Sequence, residues 1–364
     1  MKKYTCLPAL ALVLLLTSSC KVGRFAYYNF ANITDHKIFP ARTAETDSVK
    51  FHFAEAPVPK APKKLTVGNR EMTFENFLEQ NRTVAFMVIK NDSILYENYF
   101  KGYRQESVVA SFSMAKSVTS ILIGCAIDDG LIKSVDEPMV NYIPELDRDG
   151  MDKVTIAHLL NMKSGIKFNE SYVNPFGDAA TFYYGRNLRN AIKRRKPDNE
   201  PGKEYAYSSG DTQLLGLVLE RALKDKTITA YLEEKLWKPL GMEYDATWSL
   251  DKEKDGLEKT FCCINARARD FAKIGRLYLN NGNWNGRQVV SQQWVEESTR
   301  PGAGGEDFYK YQWWLEGNGT YMAKGILGQY IYVNPSKNLI MVRLGEGHGT
   351  VDWENLFNSL AEKY

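Results

Sequence analysis

Strand patterns near both ends of the chain, with helical patterns between them, constrain the fold most strongly. Runs rich in Val, Ile, Phe and Tyr occupy residues 83–90 and 94–100, and others occupy 311–315, 328–334 and 339–344. Between these two groups the apolar residues recur mostly at helical spacing. We therefore expect an α/β plus α fold, in which both ends of the chain build one antiparallel sheet flanked by helices and the middle forms an inserted helical lobe.

The predicted boundaries follow the apolar spacing and the Gly and Pro punctuation. Residues 21–75 carry scattered prolines and are predicted to be an irregular extension, with an exposed linker near 57–64. One domain is predicted over residues 76–360, with a sheet lobe over about 80–128 and 262–364 and a helical lobe over about 130–260. Its predicted helices cover residues 113–129, 156–162, 212–224, 266–280, 291–298 and 352–362.

The first twenty residues resemble a bacterial lipoprotein signal peptide. Lys2 and Lys3 precede an apolar stretch over 7–16, which is too short to span a bilayer comfortably, and small residues lead to Cys20. We predict a signal peptide over 1–20, lipidation of Cys20, and an exported periplasmic or cell-envelope protein. Plain secretion and a retained apolar anchor are the alternatives.

Composition names no macromolecular partner. The formal net charge is +3, and the basic run at 193–196 is typical of a solvated face, so no nucleic-acid partner is expected and membrane contact is expected through the lipid anchor only. The adjacent Cys262 and Cys263 have poor geometry for bonding each other, and Cys125 is predicted to lie in the core. No Cys/His spacing indicates a metal site, and neither a metal nor an organic cofactor is expected. The oligomeric state is not predicted.

A Ser-x-x-Lys pair can supply a nucleophile and its base on one helical face. The pattern occurs at Ser113/Lys116, Ser164/Lys167 and Ser249/Lys252. Only the first pair opens a long apolar helix, where the helix dipole favours a developing negative charge and the Ser113 amide can donate to it. A helix-capping serine followed by a surface lysine is the alternative interpretation.

Several segments resemble the serine β-lactamase and penicillin-binding-protein superfamily, in its class C, esterase and 6-aminohexanoate-dimer-hydrolase branch. Residues 111–120 read Ser-Phe-Ser-Met-Ala-Lys-Ser-Val-Thr-Ser and match its first motif. Further similar segments follow in family order within about residues 80–360; they occupy residues 158–165, 201–211, 268–278 and 325–335.

The resemblance assigns the remaining site residues. It implies that Tyr207 passes a proton to the leaving group, with a pKa lowered by neighbouring ammonium groups. Ser209 stands where lactamases carry asparagine, which favours the aminohexanoate-dimer-hydrolase-like branch. Tyr172 lies on a loop that can border the pocket in relatives.

The third motif aligns with residues 323–325. Gly325 suits a strand approached closely by substrate, and the Ile326 amide would join the Ser113 amide in an oxyanion hole. Ala323 replaces the usual Lys or His, so the cation for a β-lactam or peptide carboxylate is missing. Lys324 is a candidate substrate contact if a bulge turns it toward the site.

These residues predict a serine hydrolase that cleaves an amide or ester bond of a small substrate through an acyl-enzyme on Ser113, with Lys116 as base. A D-Ala-D-Ala-type peptidase or β-lactamase is one alternative, although Ser209 and Ala323 argue against it. A non-catalytic sensor or binding protein of the same fold is the other alternative, and the Ser113, Lys116 and Tyr207 set argues against that.

Overall fold

The computed structural model describes residues 21–364 apart from positions 29, 59, 61, 63, 68, 69 and 303. The predicted signal peptide and Cys20 lie outside the described residues. Within the described part of the chain, no helix combines the length and the apolarity needed to cross a membrane.

The strands cluster at the two ends of the chain, as the alternating patterns indicate. Their bounds are β1 Ala41–Ala44, β2 Ala54–Glu55, β3 Lys64–Val67, β4 Arg70–Thr73, β5 Thr83–Lys90, β6 Ser93–Tyr99, β7 Val109–Ala110, β8 Ala246–Ser249, β9 Ile264–Ala266, β10 Asn283–Trp284, β11 Arg287–Gln288, β12 Tyr309–Lys310, β13 Trp313–Leu315, β14 Tyr321–Gly325, β15 Gln329–Asn334 and β16 Leu339–Gly345.

The helices dominate the middle of the chain. Their bounds are α1 Lys21–Tyr28, α2 Phe74–Gln80, α3 Met114–Asp128, α4 Ile156–Leu160, α5 Asp178–Tyr184, α6 Leu188–Ile192, α7 Ser209–Leu223, α8 Ile228–Leu232, α9 Ala268–Leu279, α10 Gln292–Thr299 and α11 Trp353–Ala361.

One large sheet joins the two ends of the chain. Within the described residues its strand order is β12-β13-β14-β15-β16-β5-β6-β2. At its centre β16 pairs antiparallel with β5, with Met341 opposite Val88. Only the edge strand β2 pairs in parallel with its neighbour in this described sheet. The pairing of β16 with β5 confirms the prediction of an antiparallel sheet assembled from both ends.

Both faces of this sheet are covered, because the side chains along each strand alternate between them. In β5, Met87 and Ile89 join the apolar cluster that contains α3 and α9. Phe86 and Val88 join the cluster that contains α2 and α11. The sheet is therefore the middle layer of the domain, and α3 is held on one face of it.

A second, smaller sheet braces the approach to α3. Within the described residues its order is β1-β8-β9-β7. The Ser111 amide donates to the Ile264 carbonyl at 2.8 Å, and the Ile264 amide donates to Ser111 Oγ at 3.1 Å. These two bonds fix the backbone two residues before Ser113.

The prediction of an irregular extension over residues 21–75 is wrong in part. Helix α1 and strand β1 are regular elements, and β1 pairs with β8. Phe39 and Phe53 are buried in the main apolar cluster. Short elements at the edge of a domain carry weak sequence patterns, because burial by distant residues rather than local propensity decides their structure.

The prediction that Cys262 and Cys263 do not bond each other is also wrong. The two are joined in a disulfide with their Cα atoms 3.7 Å apart. Cys263 adopts a φ of 73°, a left-handed backbone conformation that side chains rarely take, and this accommodates the ring between neighbours. Cys125 is a free, buried cysteine of α3, as expected.

Candidate active site

Ser113 lies where the chain turns into α3. Phe112 before it has a φ of 46°, so the backbone is held in a sparsely populated conformation at this turn. Ser113 occupies the N-cap position, but its side chain makes no capping hydrogen bond. The hydroxyl is therefore available to another partner, and the interpretation of Ser113 as a capping residue does not describe this structure.

That partner is Lys116, one turn further along α3. Its Nζ lies 3.0 Å from Ser113 Oγ, 3.1 Å from Ser209 Oγ and 2.9 Å from the Phe261 carbonyl oxygen. The lysine is only 1% exposed. Burial lowers the pKa of its ammonium from 10.5 to about 8, and the Glu170 carboxylate offsets part of the fall. The neutral amine is a minor form at pH 7 that grows as the pH approaches 8, and this form lets Lys116 accept a proton.

Tyr207 approaches the same pair from the residue before the Ser208 cap of α7. Its ring centroid lies 5.0 Å from Lys116 Nζ. Burial raises the pKa of the Tyr207 phenol well above 10. The predicted lowering of this pKa is therefore wrong, because loss of water outweighs the lowering by Ser113, and the Glu170 carboxylate adds to the rise. A protonated Tyr207 is a proton donor.

Glu170 is a site residue that sequence reasoning missed. Its carboxylate accepts hydrogen bonds from the Ser209 amide at 2.8 Å and the Ser209 hydroxyl at 2.5 Å. It also accepts one from the Tyr172 hydroxyl at 2.6 Å. Ser209 thus connects Glu170 to Lys116. The only signal in the sequence is its position two residues before Tyr172 on the loop already singled out.

The strand beside Ser113 supports an oxyanion hole. A Cβ atom on Gly325 would lie 2.5 Å from the Ser111 carbonyl oxygen and 3.2 Å from the Ser113 nitrogen, so a side chain does not fit there. Ile326 follows directly and lines the cleft together with Ser113. Among the described residues, neither the Ser113 amide nor the Ile326 amide donates a backbone hydrogen bond. Both remain available for an oxyanion.

Lys324 faces away from this cleft. Its ammonium pairs with Glu354 of α11 at 2.7 Å and lies 4.4 Å from the centroid of the Trp314 ring. It is not among the residues that line the cleft at Ser113. No bulge interrupts the pairing of β14 with β15, so strand alternation keeps Lys324 on the α11 side. The structure does not support Lys324 as a substrate contact.

The cleft beside Ser113 has a volume of about 330 Å³ and mostly apolar walls. Its described lining residues are Phe25, Phe30, Ala31, Phe112, Ser113, Tyr172, Val173, Ala179, Ala180, Tyr183, Tyr184, Ser209, Phe261, Cys262, Ile326, Leu327 and His348.

Helix α1 supplies part of this wall, which the sequence did not reveal. Arg24 donates to the Tyr184 carbonyl at 2.8 Å, and Lys21 donates to Thr181 Oγ1 at 2.6 Å. The Phe25 ring packs edge-on against Tyr184 with 5.6 Å between centroids. These contacts dock α1 on α5 and place Phe25 at the cleft.

One buried arginine holds two loops on the opposite side of the cleft. The Arg343 guanidinium donates to the Gly328 carbonyl at 2.6 Å and to the Gly347 carbonyl at 3.0 Å. These carbonyls belong to the loops that carry Ile326 and His348. Arg343 therefore acts on the site through the two loops and not by direct contact.

The other two Ser-x-x-Lys pairs do not form a nucleophile and base. Ser164 donates instead to Asp211 Oδ1 at 2.7 Å. Ser249 is a buried strand residue of β8, and Lys252 lies 3.8 Å from Asp255. No cluster of three or more His, Cys, Asp or Glu suited to a metal occurs within the described residues.

Known proteins match this chain over most of its length. The model of the Beta-lactamase family matches residues 71–358. The 6-aminohexanoate-dimer hydrolase of Paenarthrobacter ureafaciens is 30% identical over 299 residues, which cover 74% of this chain and 74% of that protein.

Solved structures share the fold. A Bacillus anthracis protein assigned as a 6-aminohexanoate-dimer hydrolase superposes with a TM-score of 0.81 at 22% identity, covering 91% of this chain and 93% of that one. A family VIII carboxylesterase gives a TM-score of 0.64 at 17% identity, covering 79% and 94%. The chain belongs to the β-lactamase family, in the esterase-like branch of the serine β-lactamase and penicillin-binding-protein superfamily.

Proposed function

We propose that this serine hydrolase cleaves an ester or linear amide whose acyl group is small and apolar, through an acyl-enzyme on Ser113. The observation that carries the proposal is the buried Lys116 ammonium, 3.0 Å from Ser113 Oγ, with a pKa lowered to about 8. Ser209 and the Phe261 carbonyl already accept from this lysine, and its third contact, with the Ser113 hydroxyl, is the one that a base for a nucleophile requires.

Acylation follows from these positions. Neutral Lys116 accepts the Ser113 hydroxyl proton as the oxygen bonds to the substrate carbonyl carbon. The Ser113 and Ile326 amides donate to the resulting oxyanion. Tyr207 then gives its proton to the leaving alkoxide or amine as the bond to the carbonyl carbon breaks, and the Lys116 ammonium returns a proton to Tyr207.

Deacylation reverses these roles with water as the nucleophile. Neutral Lys116 accepts a proton from water, which attacks the acyl carbon, and the ester bond to Ser113 breaks. Ser113 leaves with a proton, and the free carboxylic acid departs. The Ser113 proton moves to a lysine that already contacts the hydroxyl, and the cycle draws on this chain's residues and water alone.

The charge of the cleft supports the choice of substrate. Among its described lining residues there is no Lys or Arg to pair with the carboxylate of a β-lactam or of a D-alanyl peptide. Aromatic and aliphatic walls favour burial of an apolar group. A D-Ala-D-Ala-type peptidase or β-lactamase is therefore the second candidate, supported by the family alone.

We also propose export and lipidation at Cys20, on the strength of the signal-like residues 1–20. Helix α1 begins at the next residue and forms part of the cleft wall. An anchor on Cys20 would therefore hold the cleft close to the bilayer surface. Labelling with a palmitate analogue, lost in Cys20→Ala, tests this proposal.

A fluorophosphonate probe tests the nucleophile. Wild-type protein should be labelled at Ser113, and the Ser113→Ala variant should not. Equal labelling of both proteins, or no labelling of the wild type, would remove the proposal. Hydrolysis of p-nitrophenyl esters and uncharged linear amides, measured against a chromogenic cephalosporin and a D-Ala-D-Ala peptide, ranks the substrate classes. Turnover confined to the cephalosporin or the peptide would favour the second candidate.

A further inference from the structure

A disulfide between adjacent residues lies in the chain segment that contacts the catalytic lysine. Cys262 and Cys263 are bonded to each other. The residue before them, Phe261, offers its carbonyl to Lys116 Nζ at 2.9 Å. The residue after them, Ile264, begins β9. The disulfide therefore lies between the Phe261 carbonyl, which accepts a hydrogen bond from Lys116, and strand β9, which hydrogen-bonds to the segment before Ser113.

The downstream contact reaches the other member of the catalytic pair. Ile264 exchanges two hydrogen bonds with Ser111, one through its carbonyl at 2.8 Å and one through its amide at 3.1 Å. Ser111 precedes Ser113 by two residues, at the turn into α3. Any rotation of the backbone at 262–263 therefore moves the contacts of Lys116 and Ser113 together.

The ring also holds an unfavourable backbone conformation. Cys263 has a φ of 73°, in the left-handed region that residues with a side chain rarely adopt. A covalent ring of two neighbouring residues can hold such a conformation; two separate thiols lack that restraint. Cys262 is buried and belongs to the residues that line the cleft, so the cleft is the side from which a small reagent would approach the disulfide.

We propose that the Cys262–Cys263 disulfide is a reducible positioning element of the active site, so that a dithiol converts the hydrolase to a slower form. This inference rests on the proposed function. In the reaction a dithiol passes two electrons and two protons to the disulfide; the Sγ–Sγ bond breaks, two thiols form, and the dithiol becomes a cyclic disulfide. The reduced segment then relaxes and the Phe261 carbonyl leaves Lys116.

The wild-type protein tests the inference directly. Incubation with dithiothreitol should make two thiols alkylatable at Cys262 and Cys263 and lower kcat for a p-nitrophenyl ester about tenfold, with KM almost unchanged, because small misplacements of catalytic groups slow the chemical step. Reoxidation should restore kcat. The inference would be overturned if the protein stayed fully active after mass spectrometry had shown complete reduction. It would also be overturned if Cys262 and Cys263 were free thiols in the active protein before dithiothreitol is added.

Two variants distinguish the effect of the disulfide from the effect of the backbone conformation at position 263. Cys262→Ala/Cys263→Gly removes both sulfurs but allows a positive φ at position 263, and its kcat should not respond to dithiothreitol. The matched control is Cys125→Ser, which removes the free buried thiol and should retain the full response. A response that persists in the double variant, or disappears in the control, contradicts the role of the disulfide.

Fluorophosphonate labelling distinguishes this inference from the proposed function. If oxidised wild type is not labelled at Ser113, the nucleophile proposal fails before redox state is considered. If it is labelled and reduction leaves the labelling rate and kcat unchanged, only the redox inference fails.

Discussion

Lys116 Nζ lies 3.0 Å from Ser113 Oγ in a site where the lysine is almost completely removed from water. Burial favours the neutral amine, and the distance lets that amine accept the hydroxyl proton. The pair therefore combines a depressed pKa with contact geometry. Its Ser209 and Phe261 acceptors orient the lysine toward the nucleophile.

The first prediction concerns the pH dependence of kcat/KM. The lysine pKa is lowered to about 8, so the neutral base is the minor form at pH 7 and the major form above pH 9. We expect kcat/KM for a p-nitrophenyl ester to rise through about pH 8. The kcat/KM of the Lys116→Arg variant should be at least about 100-fold lower than that of the wild type, because arginine stays charged.

Lys310→Arg is a matched control for that substitution, since Lys310 is also buried but pairs with Glu297 at 3.1 Å. Its profile should follow the wild type. A flat pH profile in the wild type, or an active Lys116→Arg protein, would contradict the role of Lys116 as base.

A second prediction follows from Glu170. Its negative charge raises the pKa of Lys116 against the effect of burial. Glu170→Gln should therefore lower that pKa, and the rise of kcat/KM should move to lower pH. The pH–rate profile of the variant measures the shift. Glu204→Gln, at an exposed position outside the cleft lining, should leave the profile unchanged; a shift to higher pH in Glu170→Gln would be the opposite of our expectation.

The third prediction uses the leaving group to isolate Tyr207. Burial keeps its phenol protonated, so its role is to donate. Tyr207→Phe should reduce kcat by about 10²- to 10⁴-fold for an alkyl ester, whose alkoxide needs a proton to leave. The loss should be much smaller for a p-nitrophenyl ester, whose nitrophenolate leaves without one. Tyr205→Phe, a nearby tyrosine, is the control; equal losses on both esters in Tyr207→Phe would argue against proton donation.

The sequence predicted the layers of the fold because its strand and helix periodicities are regular in the core. It placed α3 and an antiparallel sheet built from both ends of the chain, where burial on both faces leaves continuous apolar runs in β5 and β16. It missed α1, which is stabilised by contacts with α5 about 160 residues away, such as that of Arg24 with the Tyr184 carbonyl.

The residues of the candidate site likewise fall into those that the sequence predicted and those that it missed. Ser113 and Lys116 open one long apolar helix, so their spacing together with that helix revealed them, and family motifs pointed to Tyr207 and Gly325. Glu170 could not be found by spacing, because it meets Ser209 only through the folded loop. The predicted direction of the Tyr207 pKa shift was wrong, because the burial that raises this pKa arises only in the folded cleft and cannot be read from adjacent residues of the sequence.

The fourth prediction concerns stability. Asp211 is buried and accepts a hydrogen bond from the Ser164 hydroxyl. Burial raises the pKa of the Asp211 carboxyl from 3.8 to about 7. A raised carboxyl pKa contributes stability that is fully present below pH 3.8 and is lost as the pH rises through about 7. Asp211→Asn should therefore raise Tm by several degrees at pH 8 and by less at pH 5. Thermal denaturation followed by circular dichroism measures both; Asp198→Asn, at an exposed site, should change neither, and an Asp211→Asn gain that is larger at pH 5 would reverse the assignment.

The fifth prediction tests the wall that α1 contributes. Phe25 lines the cleft and packs on Tyr184. Tyr27 lies on the same helix but is 81% exposed and is not one of the residues that line the cleft. Phe25→Ala should reduce kcat/KM about tenfold for a hexanoyl p-nitrophenyl ester, because the acyl chain loses apolar contact area. The acetyl ester is too short to depend on that wall and should change by less than about twofold. Tyr27→Ala should leave both esters unaffected. Equal losses on the two esters in Phe25→Ala would mean that the helix supports the fold of the cleft without contacting the acyl group.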